Sequence, residues 1–384
     1  MNVGEYKLLK DWTGSNAKLT TGTRNGKTYF LKATVTPNRP KDSSSMSPRM
    51  FKERTAAFNI FYEDRRRVNA ALRTVWAEGG NIVAPVEEFN ALLSPNANWY
   101  NYVEVTELIP NVVDGSNLGQ VMRALSTEEK RLFLSTAAGA LSTVHSLGLI
   151  HGDIKKENFL LARNPAGTYV AKLIDFDSSY FSDNKPEPRK LRISPQCAAP
   201  EQLEYSLLSG HENDADFLAQ KHSLARKLSD KTDVFSLGLV FHFYLTGEYP
   251  KTTHLRGKVK EKADNGKPVM ICEALVNGGS LSASADLDPL FRELILDMLR
   301  ADPSERPSAQ EVLNRLNRKP SDQNMPWPED GVAYDWNVLK SYGYVSIRRG
   351  VFERAKGYYA VSGNGKERFF NSANAKLLKI IKRG

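Results

Sequence analysis

Cysteine is scarce in this chain, which has only Cys197 and Cys272 among its 384 residues. Two cysteines do not make the disulfide framework that stabilises small secreted domains, and their number is typical of a reducing compartment. Long apolar runs are missing too. The longest, residues 234–245, is too short to span a bilayer and contains a histidine, so it predicts a buried helix and no membrane partner.

A signal peptide is not apparent either, because the first residues lack an apolar core of seven or more positions. Together with the low cysteine content, this favours a cytoplasmic protein. The sequence contains no indication of an oligomeric state.

The charge balance is basic, with 53 Lys and Arg against 44 Asp and Glu, a net charge of +9. A positive surface raises the question of a polyanionic partner. No recognised nucleic-acid motif accompanies it, so nucleic-acid binding is the weaker interpretation and would involve the basic C-terminal residues. With 41% hydrophobic residues the chain buries a sizeable core, and its length favours two or three domains or lobes.

The first third of the chain predicts a five-stranded antiparallel sheet with one long helix. Alternating polar and apolar residues indicate strands at 6–9, 18–21, 28–33, 82–86 and 99–108. A hairpin turn at 24–27 contains Asn-Gly, and residues 37–48 read as a Pro- and Ser-rich loop. The helical pattern runs from Pro48 to about Trp76.

Helical patterns dominate the chain after a linker at 110–117. A capped helix is predicted from Thr127 to about Leu147, and further helices from 200 to 316, including an inserted one within 211–231. Two short strands, 159–161 and 170–174, interrupt them.

The residues between these helices carry a set of groups suited to phosphoryl transfer. His151 to Asn158 read His-Gly-Asp-Ile-Lys-Lys-Glu-Asn, and Asp175-Phe176-Asp177 follow the next strand. Asp153 is placed to orient a hydroxyl and accept its proton, and Lys155 to meet the transferred phosphate. Asn158 and Asp175 offer oxygen ligands to a metal ion.

These motifs resemble those of eukaryotic-type (Hanks-type) serine/threonine protein kinases over most of residues 5–318. The family patterns H-R-D-L-K-x-x-N, D-F-G and A-P-E correspond to 151–158, 175–177 and 199–201. Segments 233–250 and 302–308 also match in order and spacing. The resemblance implies ATP and Mg²⁺ as cofactors, protein serine or threonine hydroxyls as substrate, and an ion pair between Glu201 and Arg306.

The fold that the resemblance implies is the α+β, bilobal protein-kinase fold with a mainly helical C-lobe. We expect the N-lobe at 1–109 and the C-lobe at 110–318. Residues 319–384 form a small C-terminal extension, basic and aromatic, of unknown role. Folding back of this extension onto the catalytic lobe is preferred over a partner-binding or nucleic-acid-binding surface.

Nucleotide-binding residues of the N-lobe follow from the same resemblance. Lys32 matches the strand lysine that pairs with the α and β phosphates. Gly14 is the one glycine left in a degraded Gly-rich loop. Thr106 occupies the gatekeeper position, and backbone groups of Glu107 and Ile109 would meet adenine.

The long helix is expected to supply a glutamate that pairs with Lys32. Glu63 lies near the middle of the helix, and Glu53 lies in its first turn, where an acid complements the helix dipole. Glu63 is preferred, with Glu53 as the alternative.

The chain departs from the family pattern at two positions in the central motifs. Gly152 replaces the arginine that receives an activation-loop phosphate, which argues against switching by that route. Asp177 replaces a glycine, so it either restricts the backbone flip of Asp175 or adds a third carboxylate near the metal, and we prefer the restriction. Ser194 resembles the residue that contacts the catalytic Asp and Lys in serine/threonine kinases.

The sequence therefore predicts a magnesium- and ATP-dependent serine/threonine protein kinase that phosphorylates itself. Two alternatives stay open. One is a nucleotide-binding pseudokinase that acts as an interaction module, suggested by the poor Gly-rich loop and Asp177. The other is a small-molecule phosphotransferase, since antibiotic kinases share the His-Gly-Asp and Asn spacing.

Overall fold

The computed structural model describes residues 1–317 except 16, 45, 77–79, 116, 212 and 213, and in the tail residues 344–349, 357–362 and 367–371. The described part of the chain has the two lobes of a protein-kinase fold, a curled antiparallel sheet followed by a mostly helical body. The predicted fold class is confirmed.

The N-lobe sheet has seven strands within the described residues, in the order β1-β2-β3-β4-β7-β5, with β6 paired to β7. They are β1 Asn2–Val3, β2 Tyr6–Leu8, β3 Ala17–Arg24, β4 Lys27–Thr34, β5 Arg39–Pro40, β6 Glu87–Leu92 and β7 Trp99–Glu107. The predicted β3-β4 hairpin forms because Asn25 and Gly26 adopt the positive φ angles, 52° and 77°, that such a tight turn needs.

Two sequence expectations for this sheet are wrong. The apolar segment 82–86 is not one of its strands, because Ile82 makes a parallel bridge to Leu173 of the C-lobe and packs into that lobe's core. The strand expected at 82–86 is replaced by β6, which begins directly after this segment at Glu87. The expected loop at 37–48 contains the short strand β5. Together with β1, this gives the sheet two short strands more than the five predicted.

The long helix α1, Pro48–Val75, agrees with the prediction. Ser47 caps it by accepting a hydrogen bond from the backbone N–H of Met50, and Pro48 occupies the first turn, where no N–H is required. The buried face of the helix consists of Phe58, Arg65, Val68, Asn69 and Leu72. Polar residues therefore belong to the face that points towards the rest of the kinase fold.

The C-lobe is built around a buried helix. The helices after α1 are α2 Leu118–Ala124, α3 Thr127–Ser146, α4 Pro200–Ser206, α5 Ala215–Lys227, α6 Asp230–Thr246, α7 Gly257–Asp264, α8 Ile271–Val276, α9 Pro289–Met298 and α10 Ala309–Asn317. Helix α6 buries residues all around its axis, as predicted for the apolar run at 234–245. Helix α5 is the predicted insert.

Short strands and one 3₁₀ turn carry the central motifs. The C-lobe strands are β8 Leu149–Ile150, β9 Phe159–Arg163, β10 Tyr169–Leu173, β11 Tyr180–Phe181, β12 Lys251–Thr253 and β13 Ser280–Ser282. The catalytic segment follows β8 and ends in the 3₁₀ turn Lys156–Asn158, whereas Asp175 follows β10. The β9-β10 ladder therefore brings the two motifs to one side of the lobe.

The described tail residues form an antiparallel sheet of three strands, β14 Tyr344–Arg349, β15 Gly357–Ser362 and β16 Glu367–Asn371. Residues 318–343 and 372–384 lie outside the described residues, and the fold-back hypothesis remains a prediction. None of the helices in the described ranges has the length and apolar character required to cross a membrane.

A buried ion pair joins α4 to the end of the C-lobe. Arg306 donates to both carboxylate oxygens of Glu201, at 2.7 and 2.9 Å, and the side chains are 0% and 2% exposed. Thr232 also donates to Glu201 at 2.9 Å, and the guanidinium lies over the ring of Phe235. The expected Glu201–Arg306 pair is confirmed.

Glu201→Gln should lower the free energy of unfolding by about 3–5 kcal/mol, because it leaves the Arg306 cation buried without its counter-charge. Denaturant unfolding measures this. The matched control is Glu53→Gln, which removes the carboxylate of an exposed pair with Arg49 and should cost less than about 1 kcal/mol. Equal losses in the two variants would contradict the structural role of the buried pair.

Candidate active site

The catalytic segment is held by one carboxylate of the buried helix α6. Asp233 accepts hydrogen bonds from the backbone N–H groups of His151 at 2.7 Å and Gly152 at 2.9 Å. His145 of α3 contacts the same carboxylate at 2.9 Å. Charge-assisted bonds to a buried, fixed carboxylate are strong and directional. The backbone just before Asp153 is therefore positioned by the helical core.

Asp153 is the meeting point of a small polar network. Its Oδ1 accepts a hydrogen bond from Ser194 Oγ at 2.5 Å, and its Oδ2 from Lys155 Nζ at 2.5 Å. The side-chain amide of Asn158 donates to the Asp153 backbone oxygen at 2.7 Å. Ser194, Lys155 and Asn158, which the sequence also indicated, thus lie around Asp153. The expected contact between Ser194 and Asp153 is confirmed.

Asp175 is joined to this network through the backbone. The N–H of Ile174 donates to the Asn158 carbonyl at 2.9 Å, and His151 Nε2 lies 3.1 Å from the Ile174 carbonyl. Asp175 itself has φ of +65°, a left-handed conformation that aspartate tolerates better than most residues. Phe176 packs against the His151 ring and is buried in the core. The loop fixes the direction of the Asp175 carboxylate.

Lys32 reaches the C-lobe motif from strand β4. Its Nζ lies 2.6 Å from Asp175 Oδ1 and 2.7 Å from Asp177 Oδ2. Burial lowers the pKa of Lys32, but the charges of Asp177 and Asp175 outweigh it and hold that pKa above its usual range. Burial raises the pKa of Asp175, and the nearby Lys32 more than reverses this. Lysine and aspartate are therefore both charged here.

The donor set at this site fits magnesium bound together with a nucleotide. Within the described residues, no cluster of three or more His, Cys, Asp or Glu side chains could hold a metal by itself. Asp175 offers a carboxylate, and Asn158 offers its amide oxygen because its nitrogen is engaged by Asp153. Mg²⁺ commonly uses one or two protein oxygens and takes its other ligands from phosphates and water.

The family comparison agrees with this geometry. The protein kinase domain model matches residues 96–316, more than half of the chain. The chain belongs to the protein kinase family.

Curated relatives of this kinase are serine/threonine and calcium-dependent protein kinases by name. Calcium-dependent protein kinase 31 of Arabidopsis thaliana is 23% identical over 87% of this chain and 57% of its own length. Serine/threonine-protein kinase ULK1 of Homo sapiens is 29% identical over 39% of this chain and 14% of its own length. Serine/threonine-protein kinase ULK3 of Xenopus laevis is 26% identical over 54% and 38%. The chain thus spans from 14 to 57% of the length of these relatives.

The predicted adenine-binding residues lie at the end of strand β7 in the kinase. Thr106 pairs with Phe30, and Glu107 pairs with Tyr29 at the edge where β7 ends. The Glu107 side chain makes a 3.3 Å ion pair with Lys27, so its carboxylate points to the sheet rather than to an adenine site. Ile109 follows just after the strand. Their contact with adenine remains a prediction.

Gly14 lies in a tight turn before β3. Thr13 and Leu19 exchange backbone hydrogen bonds of 3.0 and 2.8 Å across this turn. Gly14 has φ of +92°, and a Cβ there would lie 2.4 Å from the Ala17 carbonyl oxygen. Only glycine is compatible with that backbone. Its role in phosphate binding remains a prediction, but its role in the turn follows from the geometry.

The expected pair between Lys32 and a glutamate of α1 does not form. Glu63 is 68% exposed and lies 3.6 Å from Arg66, and Glu53 pairs with Arg49. Helix geometry explains this, because successive residues are rotated by about 100° and Glu63 is two residues from the inward-facing Arg65. The preferred glutamate is therefore on the solvent side of the helix.

Arg65 is a buried residue of the site that the sequence did not indicate. Arg65 is seven residues from both Phe58 and Leu72, which are apolar positions of the same helix face. That spacing could have placed it inward, but it was hidden in a run of three arginines. Asp233 begins the segment 233–250 that resembles the family, and the structure adds its hydrogen bonds from the backbone of His151 and Gly152.

Gly152 has a conformation that an arginine would not adopt without strain. Its φ is +78°, and a Cβ would lie 2.8 Å from the Ser178 carbonyl oxygen and 3.3 Å from the Tyr180 ring. Strand β11, which contains Tyr180, pairs with β8 just before the catalytic segment. The backbone of the activation segment therefore occupies the space that a side chain at position 152 would need.

Gly152→Ala should lower the unfolding free energy by about 3 kcal/mol, combining left-handed strain of about 1–2 kcal/mol with overpacking against a carbonyl. The matched control is Gly247→Ala, where φ is +85° but no atom lies within 4 Å of the added Cβ. That variant should lose only the strain, about 1 kcal/mol. Chemical denaturation compares them, and equal losses would show that the contact with Ser178 is unimportant.

Proposed function

We propose that this kinase is a Mg²⁺- and ATP-dependent serine/threonine protein kinase that also phosphorylates itself. The observation that carries the proposal is the contact of both Ser194 and Lys155 with the two carboxylate oxygens of Asp153. The named activities of the relatives support the same reaction class.

The roles of the catalytic side chains follow from their charge and position. Asp153 orients a substrate hydroxyl and accepts its proton, and Lys155 stabilises negative charge that develops on the transferred phosphoryl group. Bound Mg-ATP supplies that phosphoryl group and part of the charge neutralisation. Lys32 would hold the nucleotide phosphates, while Asn158 and Asp175 would hold the metal. Positioning and electrostatics are the main contributions that such a reaction needs from a protein.

Protein hydroxyls are the proposed substrates rather than small molecules. The Glu201–Arg306 pair fixes the start of α4, and Ser194 precedes α4 at the edge of the active site. Gln202 of α4 also donates to the Gly152 carbonyl at 3.0 Å, which couples this platform to the catalytic segment. A rigid surface beside Asp153 supports docking of an extended peptide.

The proposed domain limits are 1–109 for the kinase N-lobe and 110–318 for the kinase C-lobe. We propose a cytoplasmic location on the grounds that Cys197 and Cys272 are free thiols and form no disulfide with each other. A role of 319–384 in binding nucleic acid stays the weaker alternative to folding against the kinase lobes.

Incubation of the purified kinase with Mg-ATP should give phosphoserine or phosphothreonine on the kinase itself, detected by phosphosite mass spectrometry. Asp153→Asn should lower incorporation by about 10²–10⁴-fold, because it loses the proton acceptor. Asp264→Asn, at the exposed end of α7, is the control and should behave as wild type. No incorporation into the kinase or into a generic protein substrate would favour the pseudokinase alternative.

The conformation of Gly152 supports activity that does not depend on an activation-loop phosphate. Phosphatase-treated kinase should therefore phosphorylate a generic protein substrate at the same initial rate, within about twofold, as untreated kinase. We expect a time course without a lag, because position 152 has no arginine side chain that could bind an activation-loop phosphate. A long lag that disappears after self-phosphorylation would contradict this independence.

A further inference from the structure

The counter-charge of Lys32 comes from an unexpected place in the chain. Asp177, two residues after the proposed metal ligand, lies 2.7 Å from the Lys32 ammonium. No glutamate of α1 takes that position within the described residues, since Glu63 and Glu53 are exposed and paired with arginines of their own helix. The carboxylate that the resemblance places on the helix is thus found on the activation segment.

The helix contributes a cation to the same region. Arg65 is 8% exposed, and its guanidinium donates to the carbonyl oxygens of Phe176 at 2.6 Å, Asp177 at 3.0 Å and Ser179 at 2.6 Å. Such a fork of parallel donors holds a backbone more firmly than a lysine would, because its geometry is rigid. The carbonyls on either side of the Asp177 side chain are therefore fixed by α1.

The carboxylate opposite Lys32 on the sheet is engaged by other residues. Glu104 is its cross-strand partner on β7, and it already accepts hydrogen bonds from Asn69 and Tyr102, each at 2.9 Å. Burial, followed by the nearby charge of Asp177, raises the pKa of Glu104. Asn69 lies one turn after Arg65 on the buried face of α1. The inner face of the helix is thus adapted to receive acidic groups, not to supply one.

We propose that α1 and the activation segment exchange charged groups, with Asp177 supplied by the segment and Arg65 by α1. The activation segment supplies the carboxylate that positions Lys32, and α1 supplies the arginine that holds the segment carrying that carboxylate. Both are positioning residues that act through Lys32 and the backbone. The inference rests on the proposed function only in taking Lys32 as the group that binds nucleotide phosphate.

The exchange gives Asp177 a function different from both expectations for it. Its carboxylate is engaged with Lys32, which leaves Asp175 and Asn158 as the metal-binding pair. Without Asp177, the Lys32 ammonium would pair with Asp175 alone and compete for the carboxylate proposed for magnesium. Replacement of Asp177 by the glycine typical of the family should therefore impair this kinase.

The test measures binding of a non-hydrolysable ATP analogue, adenylyl imidodiphosphate with Mg²⁺, by calorimetry. Asp177→Gly and Arg65→Glu should each raise the Kd at least fivefold. The double variant carries a carboxylate on α1 and a glycine after Phe176, and it should recover at least half of the loss on a logarithmic scale. Phosphate transfer is measured in parallel, and KM for ATP should change more than kcat.

Matched controls separate the exchange from general damage. Arg66→Glu makes the same change at the neighbouring exposed position of α1, and Asp183→Gly makes the same change at an exposed position of the activation segment. Both should bind the analogue as wild type does. Thermal unfolding verifies folding, and if Arg65→Glu does not fold, Arg65→Lys replaces it and should show a smaller rise in Kd.

The outcomes distinguish this inference from the proposed function. Wild-type affinity in Asp177→Gly, or a double variant no better than the weaker single variant, overturns the exchange. Wild-type protein that binds the analogue but transfers no phosphate overturns the proposed function alone, and the Kd series still decides the exchange. Wild-type protein that binds no nucleotide overturns both.

Discussion

The carboxylate of Asp233 is the constraint on which the active-site geometry depends. It is 1% exposed on the buried helix α6, and it orders the backbone of His151 and Gly152 through hydrogen bonds of 2.7 and 2.9 Å. Since α6 is surrounded by the apolar core, its position is not adjustable. The core therefore positions Asp153, the proposed proton acceptor, and the side chains of Ser194 and Lys155 contact its carboxylate.

Two further links extend this constraint to the activation segment and the N-lobe. The segment lies against Gly152, where its Ser178 carbonyl fills the space of a side chain, and it pairs with β8. Arg65 then joins its carbonyls to α1, and Lys32 joins its two aspartates to the N-lobe sheet. The lobes are thus connected through the activation segment by hydrogen bonds and ion pairs.

Local structure was predicted correctly from the sequence, but contacts between elements distant in the chain were not. The catalytic segment, the Asn25-Gly26 hairpin and α1 depend on local spacing, capping and turn geometry. Segment 82–86 was wrong as a strand because an apolar run has the same pattern whether it pairs in a sheet or packs against another lobe. The prediction of Glu63 as the partner of Lys32 is wrong because Glu63, although near the middle of α1, lies on its solvent side.

The sequence by itself determined the kinase fold and the chemical groups of the active site, because these are written as short motifs with fixed spacing. Only the tertiary structure decided which charges meet. Lys32 pairs with the Asp177 carboxylate, 145 residues away, and Arg65 donates to the Asp177 backbone carbonyl, 112 residues away. Such pairing depends on how whole elements pack, since a carboxylate on either the helix or the activation segment satisfies the same lysine.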